Sequence, residues 1–367
     1  MTRLPVLVVG AGPVGLAVAV ELSRRGLAVR IVDPGDGPVP DEPSRPLVIL
    51  PATLAILAAS GLSASLPSLG NRLVSACVAR GGRRLARIEF RAAARDTAYP
   101  FLLSLEAGRM ERAMAEWLAA RGIGVERGVS ITGLRDTHRP VALLSTGEVL
   151  AVDAVVGCDG ARSWLRRELG IPFVGEDSPG RFAFVDVERA AAADASMLEI
   201  DLLPGEGAVA SVPLDARRVR LIGVEGGAQG LQDRAEALGR ILRHSDVSVA
   251  FRHAERMARG RVFLCGDAAH GPSPFGGRGM TLGIADAATL AFLLNTGRES
   301  EYEAMRLPVV RRAIARGRAA TQRLAAPNAA LLKALRWLAP AALALPGVQR
   351  RVARAVLALD LRPAPWL

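Results

Sequence analysis

The amino-acid sequence predicts an α/β fold, in which a parallel sheet flanked by helices is joined to an inserted antiparallel sheet and a helical C-terminus. Three observations lead to this prediction. An apolar strand, a glycine-rich turn and a helix open the chain between Leu4 and Arg25, and a second strand follows. Short alternating segments separated by turns, typical of antiparallel strands, occupy residues 73–90 and 182–223. From Met280 onward helical patterns dominate.

The first turn has the spacing of a dinucleotide-binding unit. Residues 10–15 read GAGPVG and fit the GxGxxG pattern directly after the apolar strand. In that pattern Gly10 permits a sharp turn, Gly12 lets a pyrophosphate approach the backbone, and Gly15 allows helix and strand to pack closely. Pro13 suits the first helical turn, where its missing N–H would have no partner, and the helix N-terminus favours a phosphate anion.

The second strand of this unit supports the same interpretation. It covers Ala28–Val32 and ends at Asp33, where an acidic residue would bond an adenosine ribose hydroxyl. A buried βαβ unit with incidental glycines is the alternative. A secretory signal peptide is disfavoured, because Glu21 and two arginines interrupt the apolar run and no small-residue cleavage site is evident. We therefore predict a Rossmann-like dinucleotide-binding domain.

Composition narrows the class of protein. At 367 residues, half of them hydrophobic, the chain can bury a core shared between two domains. The net charge of +11 is carried almost entirely by arginine, which indicates coding bias, and no basic run with interleaved aromatics predicts nucleic-acid binding. The apolar stretch Trp337–Val348 is too short for a membrane span. Cys77, Cys158 and Cys265 fit neither a disulfide framework nor a metal site, so we expect no metal and a reducing cytoplasm.

The strand and helix patterns predict three parts. The nucleotide-binding domain is expected to be discontinuous, over residues 1–70, 98–176 and 255–325. The antiparallel sheet domain is expected over residues 71–97 and 177–254, and a helical tail over residues 326–367. Within the sheet domain we expect a hairpin around Gly81-Gly82 and a helix over Leu231–Arg243.

A second glycine-rich stretch follows another apolar strand. The strand near residues 261–265 ends in Gly266-Asp267, a proline- and glycine-rich loop follows, and a helix begins near Met280. Asp267, at a strand end, can bond a sugar hydroxyl or a ribityl chain, and the helix N-terminus points N–H groups at an electron-rich atom. The loop glycines keep side chains away from any flat group that lies over them. They are Gly276, Gly277 and Gly279.

Charge is unevenly distributed near the C-terminus. Asp360 is the only acid between Ala304 and Leu367, among many arginines. An apolar stripe at helical spacing precedes it, formed by Leu331, Leu332, Leu335 and Leu338. This stripe predicts a helical cap packed on the nucleotide-binding domain, and docking on anionic lipid is the alternative.

Taken together, these stretches resemble the FAD-dependent aromatic hydroxylases of the para-hydroxybenzoate hydroxylase type, which are single-component flavoprotein monooxygenases. Three motifs of that family occur in order and span most of the chain. They are residues 10–15 with Asp33, the DG motif Asp159-Gly160, and the GD motif GDAAH at residues 266–270. A single GxGxxG is common, whereas the three motifs in this order are specific.

The resemblance implies FAD as the cofactor. It implies that Asp159 lies near the pyrophosphate, that Asp267 binds the ribityl and pyrophosphate region, and that backbone N–H groups of residues 279–281 reach the pyrimidine side of the flavin. The chain departs from the family at Arg278, where Gln or Lys is frequent, and at Thr281, where Asn is frequent. The implied cofactor-binding residues are Gly10, Gly12, Pro13, Gly15, Asp33, Arg45, Arg109, Asp159, Gly266, Asp267, Gly277, Gly279, Met280 and Thr281.

The resemblance also implies a reaction. NAD(P)H would reduce FAD, O₂ would form a flavin C4a-hydroperoxide, and a hydrophobic aromatic, polyketide or prenylated small molecule would be hydroxylated or epoxidised. Pro274, close to the reactive edge of the flavin, and Gly279 and Met280 are the implied catalytic residues. The apolar strands of residues 182–223 are expected to roof the substrate pocket. His270 is expected to bond backbone within its loop.

Two other functions stay open at this point. One is an FAD-dependent reductase or dehydrogenase of the geranylgeranyl reductase type, and the other is a non-catalytic FAD-binding protein. A flavin halogenase is disfavoured, because the active-site lysine of that group has no counterpart near the flavin. We expect a cytoplasmic monomer or homodimer whose partners are a small hydrophobic substrate and O₂, without a membrane span and with peripheral membrane contact left open.

Overall fold

The computed structural model describes residues 4–37, 46–203, 207–224, 228–271, 277–325 and 342–361. Strands within these ranges are numbered in chain order. They are β1 (Val6–Val9), β2 (Val29–Asp33), β3 (Pro46–Ile49), β4 (Asn71–Leu73), β5 (Ser75–Arg80), β6 (Arg83–Glu89), β7 (Leu102–Glu106), β8 (Val125–Arg127), β9 (Ile131–Arg135), β10 (Val141–Leu144), β11 (Val149–Ala151), β12 (Ala154–Gly157), β13 (Phe173–Arg189), β14 (Met197–Leu203), β15 (Gly207–Pro213), β16 (Arg218–Val224), β17 (Gly239–Ala254), β18 (Ala258–Arg259), β19 (Val262–Leu264) and β20 (His270–Gly271).

Helices of the same ranges are numbered in the same way. They are α1 (Pro13–Ser23), α2 (Pro51–Ile56), α3 (Leu62–Leu69), α4 (Ala107–Ala119), α5 (Trp164–Glu168), α6 (Ala228–Leu238), α7 (Arg278–Thr296), α8 (Tyr302–Ala325) and α9 (Pro346–Val356). Short 3₁₀ turns cover Leu57–Ser60, Phe90–Ala93, Gly266–Ala268 and Glu299–Glu301.

A six-stranded sheet forms the centre of the nucleotide-binding part. Its order is β18-β19-β12-β1-β2-β8, and all neighbours except β18 and β19 pair in parallel. All four residues of β1 are buried, as expected for a central parallel strand covered on both faces. The order reverses direction at β1, so the strand that precedes the GxGxxG turn lies at the topological switch point.

An eight-stranded sheet forms the inserted part, in the order β20-β17-β13-β16-β15-β14-β5-β6. Its neighbours pair antiparallel except β14 and β5, which run parallel. The predicted hairpin is confirmed, since Gly81 and Gly82 connect β5 to β6 at φ of 55° and 79°. The predicted fold class, a Rossmann-like domain with an inserted antiparallel sheet and C-terminal helices, is therefore confirmed.

One predicted helix is wrong over part of its length. The helix expected over Leu231–Arg243 ends at Leu238, and the sixteen-residue strand β17 starts at Gly239. Gly239 adopts φ of +153°, and a Cβ there would lie 2.1 Å from the carbonyl oxygen of Glu188. The long ladder with β13 satisfies the backbone of these residues, so tertiary pairing overrides the local helical pattern.

The two faces of the large sheet have different neighbours. On one face Val185 and Leu221 pack against Leu231 of α6. Because side chains alternate along a strand, Phe184 and Ile222 lie on the opposite face, where they pack against the core of the nucleotide-binding part. That second face is therefore turned toward the nucleotide-binding part.

Helix α7 is the only helix of the described residues that is long and apolar enough to cross a membrane. Two-thirds of its most apolar window, 67%, is buried inside the fold, and it packs along α1. A buried core helix passes the same test of length and composition, so α7 gives no support for a membrane span.

Candidate functional site

The three motifs meet at the carboxyl edge of the parallel sheet. Each follows one of three adjacent strands, β1, β12 and β19, and backbone hydrogen bonds continue beyond the strand ends from Cys158 to Val9 and from Cys265 to Gly157. A Cβ on Gly10 would lie 2.4 Å from the carbonyl oxygen of Cys158. A Cβ on Gly266 would lie 2.9 Å from Cγ2 of Val14. The motifs therefore form one site, where ligands bind in open α/β sheets.

The glycines of the first motif have separate structural reasons. Gly10 adopts φ of +101°, a backbone conformation that side chains disfavour. A Cβ on Gly15 would lie only 1.8 Å from the carbonyl oxygen of Gly10, so helix and turn could not pack as they do. A Cβ on Gly12 would meet nothing within 4 Å. Gly12 thus borders an open space, as expected if a cofactor approaches the backbone there.

Two helix N-termini at this edge lack a capping side-chain hydrogen bond among the residues described. Helix α1 has Gly12 as its N-cap and Pro13 at its first turn, and no side chain caps it. Helix α7 has Gly277 as its N-cap at φ of 61°, again without a capping side chain. Neither first turn contains an acid. Because first-turn N–H groups have no intrahelical acceptor and the helix N-terminus is positive, both ends fit electron-rich groups of FAD.

Three carboxylates surround this edge. Asp33 accepts hydrogen bonds from the N–H of Ala11 at 2.7 Å and from the N–H of Gly35 at 2.8 Å. Arg127 Nη1 also donates to Asp33 Oδ1, at 3.3 Å. Asp159 accepts from the N–H of Leu165 through Oδ2 at 3.0 Å.

The other oxygen of Asp159, Oδ1, is buried and lacks a hydrogen-bond partner among the residues the structure describes. Asp267 is exposed on the turn Gly266–Ala268. A buried acceptor and an exposed carboxylate at this edge both fit the hydroxyl groups of an FAD ribityl or ribose chain.

Three of the predicted residues, Arg109, Arg45 and Pro274, lie outside these motif contacts. Arg109, in the first turn of α4, donates to the carbonyl oxygen of Leu69 at 3.1 Å, and its side chain is 45% exposed. Its contact with the cofactor stays a prediction. Arg45 and Pro274 lie outside the described residues.

The first turn of α7 is held by contacts on two sides. Thr281 Oγ1 lies 2.9 Å from Thr53 Oγ1 of α2, and both side chains are buried. Gly277 packs on β3, where a Cβ would approach the carbonyl oxygen of Val48 at 3.1 Å. Gly279 and Met280 are half-buried. The N–H groups of this turn therefore have fixed directions. A turn that is to position a flavin requires such fixed donors.

A buried ion network supports the GD turn from below. The Asp286 carboxylate accepts from the N–H of Gly266 at 3.2 Å, from Arg306 Nε at 2.7 Å, and lies 2.6 Å from His270 Nε2. Burial raises the pKa of the Asp286 carboxyl, but the Arg306 and His270 charges outweigh burial, and the pKa lies below its ordinary value.

The expectation for His270 was therefore wrong, because its bond goes to a carboxylate on α7 and not to backbone of its own loop. The sequence held one signal of this network, an acid inside an otherwise apolar helix. It gave no indication of which neighbours Asp286 would have.

A second buried ion pair lies on the face of the large sheet that packs against the nucleotide-binding part. Arg220 of β16 donates to Asp186 of β13 through Nε at 2.6 Å and Nη2 at 2.7 Å. Both residues are buried, and the guanidinium lies 5.7 Å from the ring centre of Phe184. The sequence predicted only apolar strands here, so this face of the large sheet is more polar than expected.

Comparison with known proteins identifies the family of this chain. The family model described as FAD binding domain matches residues 3–229 and 228–316. The chain belongs to this family. Its three motifs, their order and their meeting at one sheet edge agree with the resemblance to para-hydroxybenzoate hydroxylase-type flavoproteins, and FAD is the cofactor that the family domain binds.

Relatives within the family have different functions. The chain is 35% identical over 88% of its length to a 6-methylpretetramide 4-monooxygenase from Streptomyces rimosus, and 31% identical over 79% to a dialkyldecalin synthase from Streptomyces rugosporus. It spans 63% and 64% of the lengths of these two relatives. The fold of a p-nitrophenol 4-monooxygenase from Pseudomonas putida superposes with a TM-score of 0.83 at 22% identity, covering 98% of this chain and 99% of that one.

Proposed function

We propose that this protein is an FAD-dependent, NAD(P)H-using monooxygenase that hydroxylates a hydrophobic aromatic or polyketide small molecule. The observation that carries the proposal is the meeting of the three motifs at one edge of the parallel sheet, in a chain whose large antiparallel sheet packs Phe184 and Ile222 against the same nucleotide-binding part. The 35% identity to a 6-methylpretetramide 4-monooxygenase supports the same reaction class.

The residues of the chain bind and orient the cofactor. In this proposal the N–H groups at the start of α1, beside Gly12, hold the pyrophosphate. Asp33 bonds the adenosine ribose, while Asp159 and Asp267 bond the ribityl region. The first turn of α7, at Gly279 and the residues after it, directs N–H groups at the pyrimidine side. When bound, FAD supplies the redox chemistry and the activation of O₂.

The substrate is proposed to lie against the face of the large sheet that carries Phe184 and Ile222. These side chains suit an aromatic or polycyclic ring. The buried Asp186–Arg220 pair adds a fixed polar group beside the apolar surface, which can bond a ring hydroxyl or carbonyl and so orient the ring. Closure of the site around the ring excludes water, which would otherwise divert the reaction to hydrogen peroxide.

A second candidate is favoured by one comparison. The chain is 31% identical to a dialkyldecalin synthase, nearly as similar as to the monooxygenase relatives, and the name of this relative is that of a synthase. A family member that binds FAD without using O₂ is therefore the alternative to be tested. The reductase of the geranylgeranyl type stays the other alternative.

The test uses the FAD-loaded protein with polycyclic aromatic phenols as candidate substrates. Under ¹⁸O₂ we expect NAD(P)H oxidation to rise with an accepted phenol and one ¹⁸O atom to enter the product. Conversion that needs NAD(P)H but adds no label would favour the reductase hypothesis over oxygenation. Conversion that proceeds without NAD(P)H would favour the synthase hypothesis.

A variant of the GD turn tests the cofactor assignment. Asp267→Asn keeps the size of the side chain but removes its charge, and we expect it to lower FAD occupancy and turnover together. Turnover that is unchanged when FAD is absent would contradict the cofactor assignment itself.

A further inference from the structure

The first turn of α7 receives a carboxylate from the far end of the chain. Asp360 Oδ2 lies 3.0 Å from Arg278 Nη1 and 2.6 Å from Arg316 Nη1. Arg278 is the first residue of α7 and follows the N-cap Gly277. The Arg278 side chain is 20% exposed and that of Arg316 is 64% exposed, so the bond to Arg278 is the better shielded of the two.

The segment that carries Asp360 is anchored independently. Beneath the preceding helix α9, Ala353, Leu357 and Leu359 are buried in one apolar cluster with Phe90 and Val212. Val212 belongs to β15 of the large sheet. The segment therefore packs against both the large sheet and the 3₁₀ turn that contains Phe90.

Two features direct the end of the segment toward α7. Arg350 and Arg354 of α9 both bond Asp96, which fixes the helix at its far side. After α9 the chain reverses at Ala358, which adopts φ of +51°. The N–H of Leu361 then donates to the carbonyl oxygen of Ala358 at 3.0 Å. This turn holds Asp360 next to Arg278.

The contact between Asp360 and Arg278 brings a negative charge to a positively charged helix end. The first turn of α7 contains no acid of its own, and Arg278 adds a cation to the positive helix end. Asp360 is the only acid in the sequence between Ala304 and Leu367. It also lies beyond residue 316, where the match to the family model ends.

We propose that Asp360 is a positioning residue that holds the Arg278 guanidinium at the N-terminus of α7 and so sets the positive charge facing the bound flavin. The inference rests on the proposed placement of the flavin pyrimidine side at this turn. Its consequence is that the C-terminal segment, although distant in sequence, tunes the reduction potential of FAD. A carboxylate here lowers the local positive potential, which disfavours the anionic reduced flavin.

The test is the midpoint potential of FAD in the holoenzyme, measured by dye-linked anaerobic titration. Asp360→Asn should raise the potential by about 30 mV, which corresponds to a tenfold change for a two-electron couple. Arg278→Gln should lower it. In the double variant the effect of Asp360→Asn should be smaller than in the presence of Arg278, because the positioning of the guanidinium no longer contributes to it.

Three further variants keep the proposal open to contradiction. Asp360→Glu should restore the wild-type potential. Arg318 lies in helix α8, as Arg316 does, and pairs with the exposed carboxylate of Glu176. Glu176→Gln removes that carboxylate and should leave the potential unchanged. Asp96→Asn loosens α9 without touching Arg278, so it should lower the melting temperature and leave the potential unchanged.

The outcomes separate this proposal from the proposed function. An unchanged potential in Asp360→Asn, or a shift that persists in full in the Arg278→Gln background, overturns the positioning role. A shift in Asp96→Asn equal to that in Asp360→Asn would reduce Asp360 to a structural anchor. Should Asp360→Asn not fold, Arg316→Gln supplies the test, since it leaves Asp360 to Arg278 alone and should lower the potential. Loss of oxygen transfer with the potentials as expected would contradict only the proposed reaction.

Discussion

Asp286 Oδ2 lies 2.6 Å from His270 Nε2 and 3.2 Å from the N–H of Gly266, so one buried carboxylate holds two parts of the GD turn. Its other oxygen accepts from Arg306. Asp286 and His270 are fully buried, and Arg306 is 8% exposed. The exposed Asp267 therefore rests on a turn whose backbone is fixed from inside the protein, and a change at Asp286 should reach the cofactor without contacting it.

We expect Asp286→Asn to destabilise the protein by about 3–5 kcal/mol, because it removes the negative partner of a buried guanidinium. FAD affinity should fall as well, since the GD turn loses its fixed position. Urea unfolding and FAD titration measure the two effects. Glu301→Gln removes a carboxylate from the exposed pair with Arg298 and should cost no more than about 1 kcal/mol. Equal losses in the two variants would contradict the role of Asp286.

The same carboxylate gives a pH dependence with a defined sign. Its pKa is lower in the folded protein than the unfolded value of about 3.9. The folded state therefore binds fewer protons, and the contribution of Asp286 to the free energy of unfolding is complete above that pH. It is lost as the pH falls through the lower folded pKa. The difference between wild type and Asp286→Asn should thus shrink as the pH falls below about pH 4; a difference that stays constant from about pH 5 down to about pH 3 would contradict this assignment.

Gly12 and Gly15 offer a comparison between binding and folding. A methyl group at Gly12 meets open space and the φ of −72° suits alanine, so Gly12→Ala should leave the melting temperature of the apoprotein unchanged. It should weaken FAD binding at least about tenfold, or about 1.4 kcal/mol. Gly15→Ala forces a methyl group toward the Gly10 carbonyl and should destabilise the apoprotein by about 1–3 kcal/mol. FAD affinity that is unaffected by Gly12→Ala would show that the pyrophosphate lies elsewhere.

Local patterns allowed the motif-bearing part of the fold to be predicted. Apolar runs, glycine spacing and strand-terminal acids are short-range signals, and parallel strands bring their carboxyl ends to one edge. Gly10 and Gly15 therefore provide the sharp turn and the close packing that the sequence indicated. The domain boundaries and the flavin contacts of single residues stay predictions.

Long-range pairing could not be predicted in the same way. Asp360 stood out in the sequence as a solitary acid, but its partner Arg278 is 82 residues away. Residues 239–243 resemble a helix locally, and only the ladder with β13 makes them a strand. Asp186 and Arg220 are single charged residues in apolar strands, and their pairing depends on the register between β13 and β16.

The Asp186–Arg220 pair provides the last prediction, which separates its structural role from its proposed contact with substrate. Asp186→Leu leaves a buried guanidinium without its principal carboxylate and should destabilise the protein by about 3–5 kcal/mol. Replacing both residues, as Asp186→Leu with Arg220→Met, should recover most of that loss, because an apolar pair of similar volume needs no compensation.

If the pair also orients the substrate, the stability-restored double variant should bind FAD normally but hydroxylate an accepted phenol with a higher KM and release more hydrogen peroxide per NAD(P)H oxidised. Urea unfolding, FAD titration and the ratio of product to NAD(P)H measure these three quantities on the same preparation. A double variant with wild-type KM and coupling would limit the pair to holding the sheet together. A double variant no more stable than Asp186→Leu alone would show that Arg220 has a second partner as important as Asp186.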